Sequence, residues 1–76
     1  MSKLPNTTAG SAARAFEKAG FLYDRTESSH FIYKKPGHRF LLSIPKHKGK
    51  TLPSGTLRAL IRASGLSVEQ FVENLE

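Results

Sequence analysis

Residues 21–45, FLYDRTESSHFIYKKPGHRFLLSIP, decide the fold of this chain. They read as three short strands joined by two turns. FLYDR, residues 21–25, is aromatic and short and forms a first strand. TESS is a turn, and HFIYKK, residues 30–35, is a second strand. In KPGH, Pro36 and Gly37 occupy the positions that a reverse turn favours. RFLLSIP, residues 39–45, follows as a third strand. There Phe40, Leu42 and Ile44 alternate with Arg39, Leu41 and Ser43 and give one apolar face. Connections this short join antiparallel neighbours, so the strands form a meander.

On either side of this stretch the period lengthens. Residues 1–7 read as a frayed start. Over residues 9–19, Ala12 or Ala13, Phe16 and Ala19 recur at helical steps. Ser11 is a candidate N-cap, Lys18 suits the last turn, and Gly20 fits the left-handed stop. After the strands, KHKGKTLPSG is a polar basic loop. Pro53 or Ser54 opens a second helix, with Leu57, Leu60 and Ile61 as its buried stripe and Gly65 as its end. Arg58 and Arg62, four apart, share another face of it. Ser67 and Gln70 form a capping box for a last helix whose stripe is Val68, Phe71, Val72 and Leu75. The order is α-β-β-β-α-α. Helices flanking one antiparallel sheet pack on a single face of it, which is an α+β two-layer sandwich.

Seventy-six residues make one domain, 1–76, of a size that is marginally stable alone. The chain has no cysteine, which excludes disulfides and cysteine-based zinc sites. Its first residues hold no apolar signal segment, and no apolar run approaches the roughly 20 residues that cross a bilayer. A cytoplasmic protein is expected. Lysine and arginine number 12 against 6 acids, a net charge of +6. The signs are segregated. Between Ser28 and Val68 lie Lys34, Lys35, Arg39, Lys46, Lys48, Lys50, Arg58 and Arg62, with no Asp or Glu. A field of one sign attracts a polyanion.

Three histidines fall inside that basic segment. A metal site is not expected there, because carboxylate ligands are missing and the positive charge opposes a cation. His38, beside Gly37, reads as a plain surface residue. His47, between Lys46 and Lys48, belongs to the basic loop and is a second candidate proton carrier. His30 shares a strand face with Ile32 and Lys34, while Phe31 and Tyr33 point the other way. If Ile32 faces the helices, His30 lies at the core's rim and the two aromatics are open stacking platforms for unpaired bases. If the aromatics face inward, His30 is exposed. Residues 56–75 also have the outline of a helix-turn-helix. Glu69, Glu73 and Glu76 would then meet DNA phosphates, which argues against it.

A further set of residues carries a family resemblance. Phe16 to Phe21 reads FEKAGF. Ser29-His30 opens a strand, with Ile32-Tyr33 after it. Pro45 ends the next strand, Gly55-Thr56-Leu57-Arg58 opens a helix, and Gly65-Leu66-Ser67 is followed by Phe71. In order and spacing, over about residues 11 to 75, this resembles the HicA toxins of type II toxin–antitoxin systems. The resemblance implies a fold like a double-stranded-RNA-binding domain, messenger-RNA cleavage and inhibition by a HicB antitoxin; with no metal site expected from the residues, no metal or other cofactor is expected for that cleavage. It implies a catalytic role for His30, through a Gly-Ser-His motif whose first position here is Ser28. Cleavage at a ribose fits the residues, because RNA supplies its own 2′-hydroxyl nucleophile. His30 can serve as general base or acid. Lys34, Lys35, Arg39, Lys46, His47, Lys48, Lys50 and Arg58, together with Ser29, form the expected RNA-binding set. A binding module that holds RNA without cutting it is the alternative, and a DNA-binding partner in a regulatory complex is the third class.

Overall fold

The computed structural model describes residues 4–46 and 50–76. The order of elements is α1 (Ala9–Lys18), β1 (Leu22–Glu27), β2 (His30–Lys34), β3 (Leu42–Pro45), α2 (Ser54–Ser64) and α3 (Val68–Asn74). The three strands form one antiparallel sheet in the order β1-β2-β3. It is the α+β sandwich expected from the sequence, consistent with a double-stranded-RNA-binding-domain-like fold.

Register settles which way each strand faces. Phe31 lies opposite Ile44, and Tyr33 opposite Leu42. Leu42 and Ile44 are wholly buried, and Tyr33 joins them in the core. Cross-strand partners share a face, so Phe31 and Tyr33 point towards the helices. His30, Ile32 and Lys34 therefore lie on the outer face. The core is closed by Ala12, Ala15 and Phe16 of α1, Leu57, Leu60 and Ile61 of α2, and Phe71 of α3. Burial pushes the Tyr33 phenol up, and the nearby Glu17 adds to it. No helix among the described residues is long and apolar enough to cross a membrane.

Local chemistry accounts for most boundaries. Thr8, not Ser11, caps α1, because its Oγ1 accepts from the Ser11 N–H at 3.1 Å. The frayed start also differs from expectation over residues 4–7; residues 1–3 lie outside the described ones. Thr7 is buried, its carbonyl accepts from the Leu52 N–H at 2.8 Å, and Thr8 bridges Thr51. The chain entering α1 is thus tied to the chain entering α2. Gly65 ends α2 with a φ of 82°, and Ser67 and Gln70 make both bonds of the capping box on α3.

Two expectations fail around the second turn. In residues 35–38 the His38 N–H donates to the Lys35 carbonyl at 2.9 Å, with Gly37 at φ 79° as a type II turn requires. Pairing with β2 does not resume until Leu42, so Phe40 lies outside the strand and is 55% exposed rather than part of the core face. The cause is His38, which is not a plain surface residue. Its Nε2 is 2.7 Å from the Ala63 carbonyl at the end of α2, and its ring packs edge-on against Phe21 at 5.3 Å. That contact draws residues 38–41 towards α2 and away from the sheet.

Candidate functional site

His30 begins β2 directly after the two-residue turn Ser28-Ser29. Its side chain is exposed, the second of the two orientations that the alternation of the strand left open. Phe31 and Tyr33 are consequently not open platforms. Tyr33 is 8% exposed, and half-buried Phe31 is covered in part by Lys46, whose Nζ lies 5.8 Å from the ring centre.

The turn is held in a defined shape. Ser28 has a φ of 53°, in the left-handed region that glycine enters freely. Serine here holds a conformation that glycine would enter without strain, at a steric cost of about 1–2 kcal/mol. Beside it, the Lys46 N–H donates to the Ser29 carbonyl at 2.7 Å, tying the end of β3 to the turn. Ser28→Gly should therefore stabilise the domain by about 0.5–1 kcal/mol, after glycine's greater freedom in the unfolded chain offsets part of the relief. A rise of a few degrees in melting temperature checks this; a fall would mean that Ser28 makes a compensating contact.

Ser29, His30, Pro45 and Lys46 thus sit together at one end of the sheet. The helices add to that end. α2 finishes beside His38, and Gly20, just after α1, lies against Lys35. Both contacts are at the far end of β2, so the N-termini of α1 and α2 point towards the His30 end. Lys50 is exposed and directly precedes the Thr8–Thr51 bridge, where the chain enters α1 and α2. His47 and Lys48 lie outside the described residues.

Four expected contributors are elsewhere. Lys34 is four residues along β2 from His30, about 13 Å at the rise of a strand, and its Nζ pairs with Asp24 at 3.1 Å. Lys35 lies over the Phe21 ring and Arg39 over the Phe40 ring, each at 5.8 Å. Arg58 is exposed on α2.

The sequence reading also missed an acid. Glu27 ends β1 directly opposite His30, on the same face. Read as part of the turn TESS, it has no fixed relation to the imidazole. Its carboxylate accepts from Arg25 Nε at 2.7 Å. Arg25 also bridges to Asp24 at 2.5 Å, so a chain of ion pairs runs along the outer face from Lys34 to Glu27. The bond from Arg25, then that from Lys34, holds the Asp24 carboxyl below the usual carboxylate range. Glu27 first and Asp24 second push the Arg25 guanidinium up. Outer-face Ile32, flanked by Arg25 and Ser43, is only 6% exposed in the middle of this sheet. Among the described residues no group of three or more His, Asp or Glu side chains is arranged to share a metal ion.

An exposed imidazole, a backbone-locked turn and cations outside the ion-pair chain from Lys34 to Glu27 can grip an anionic ester and exchange a proton with it. No curated protein matches the chain. Residues 11–66, from the first turn of α1 to just past the end of α2, match the family model described as the HicA toxin of bacterial toxin-antitoxin systems.

Proposed function

The chain belongs to the HicA toxin family of bacterial toxin–antitoxin systems, and from that premise we propose that it is an endoribonuclease that cuts messenger RNA in the cytoplasm. His30 is the general acid–base group, the reaction needs no metal, and a HicB-type antitoxin silences it. The observation that carries this reading is exposed His30 at the end of the sheet where the Lys46–Ser29 backbone bond joins β3 to the turn, with the Lys46 ammonium over Phe31 on the other face of the same sheet end.

The chemistry follows from the substrate. His30 takes the proton from a ribose 2′-hydroxyl. The 2′-oxygen attacks the adjacent phosphorus, and the bond from phosphorus to the 5′-oxygen breaks. The leaving oxygen takes a proton from the imidazolium or from water, so charge and protons balance. Lys46 and Lys50, with His47 and Lys48 from the same loop, neutralise the phosphates and the charge that gathers on the crowded phosphorus. Lys34, Lys35, Arg39 and Arg58 are not assigned to this step, because they lie at the other end of β2 or on α2.

A substrate lacking the nucleophile tests the mechanism directly. An RNA carrying 2′-O-methyl groups throughout should bind within a fewfold of the unmodified strand and should not be cut. Cleavage of the methylated strand would mean that water, not the ribose, attacks, and the role given to His30 would fail. Binding of both strands with cleavage of neither would favour the non-catalytic RNA-binding module.

A further inference from the structure

The far end of the molecule carries a second surface that the chemistry at His30 does not use. Phe40 is 55% exposed there, displaced from the sheet by the His38–Ala63 contact. With Ala59, Arg62 and Ala63 it lines a hollow of about 270 Å³ on the outer side of α2. On the other side of Arg62 a second hollow, also of about 270 Å³, is floored by Ile61 and Leu66 and edged by Arg58. Arg62 is the ridge between the two, and Arg39 lies over the Phe40 ring. Arg39, Arg58 and Arg62 are exposed, and none of them belongs to the ion-pair chain of Asp24, Arg25, Glu27 and Lys34.

We propose that this face of α2 is a docking surface for a segment of the antitoxin that presents carboxylates beside an apolar anchor. The toxin reading above supplies the partner's identity; the surface itself supplies the chemistry. Three arginines around apolar hollows need both kinds of group at once. A planar guanidinium holds a carboxylate with two parallel bonds, and an arginine at the centre of a patch is a frequent anchor of binding energy. A second copy of this chain fits poorly. In a two-fold pair the arginines would face arginines, on chains that each carry +6. Nucleic acid would leave the apolar floors uncovered, since such interfaces are more polar than those between proteins. Seated here, the antitoxin holds the toxin from the end opposite His30, and this grip adds to whatever covers the imidazole.

The test uses the full-length chain and its cognate antitoxin, with Arg62→Glu, Phe40→Ser and, as a control of equal charge change on exposed α1, Arg14→Glu. Melting temperatures establish that each variant folds. The antitoxin should bind Arg62→Glu and Phe40→Ser roughly tenfold or more weakly, and Arg14→Glu within about twofold to threefold of wild type. RNA cleavage by the free variants should stay within about twofold. Equal weakening by Arg62→Glu and Arg14→Glu would reduce the effect to net charge and overturn the proposal. So would unchanged antitoxin affinity, a loss of RNA affinity with antitoxin binding intact, or a self-association that Arg62→Glu abolishes. A wild-type chain that cuts no RNA, with antitoxin binding still lost on Arg62→Glu, would sink the nuclease reading and leave the docking surface standing.

Discussion

RNA cleavage by His30→Ala is expected to fall about 10²–10⁴-fold, the range that one positioned acid–base group contributes, and growth arrest on expression should disappear with it. The fold should not suffer. His30 is exposed, and no hydrogen bond or ion pair holds its ring among the described residues, so the change in stability should stay within about 0.5 kcal/mol. RNA affinity should fall only slightly, because the grip on phosphates belongs to lysines. Lys46→Ala supplies the contrast. It should weaken binding to single-stranded RNA across sequences and lower the slope of affinity against salt by about 0.7, the value for one phosphate contact. Cleavage and affinity thus separate along two residues that are neighbours in space. If His30→Ala cuts RNA at the wild-type rate, the imidazole is a bystander whatever else the protein does.

The order of elements was legible because each boundary had its own chemical mark. Pro36-Gly37 set the second turn, Gly65 stopped α2, and Ser67 with Gln70 opened α3. None of these depends on distant contacts, and all are found as expected. What escaped the sequence was decided by contacts between remote residues. The parity of β2 followed from the pairing of Phe31 with Ile44 and Tyr33 with Leu42, and alternation alone is symmetric between the two faces. Phe40 left the sheet because His38 reaches Ala63, 25 positions on. Glu27 faces His30 because β1 runs on to residue 27 and leaves only two residues for the turn. The basic run looked like one shelf along the chain, but a strand carries its ends apart. Lys34, Lys35 and Arg39 are at one end of β2, and His30 with Lys46 at the other. The family pattern supplied the site's centre, while the geometry supplied its limits.

Phe71→Ala should cost about 3–5 kcal/mol, the usual range for emptying a buried aromatic site, and so come near to unfolding the protein. A chain of 76 residues has only about 4–11 kcal/mol to lose at ordinary stability per residue. Phe71 is the one buried residue of α3, a helix of 7 residues that is too short to persist without tertiary support. Its ring is wholly buried and stands 5.1 Å from Phe16, which in turn meets Phe21 edge-on at 6.2 Å. Removing it opens the side of Phe16 that α3 covers. The remaining ties of α3 are Asn74 Nδ2 to the Ala15 carbonyl at 3.2 Å and Lys18 to the carbonyl of Glu76. Both are at or near the surface and offset little of the loss. Val72→Ala, at a half-buried position of the same helix, should cost about 1 kcal/mol, the common size for a point change. Urea unfolding measures both, provided the slope is unchanged. The family match ends at residue 66, before α3 begins, so the measurement also asks whether that helix is part of the folded unit. A loss below about 1 kcal/mol for Phe71→Ala would mean that α3 is detachable and that α1, α2 and the sheet hold the His30 end in place without it.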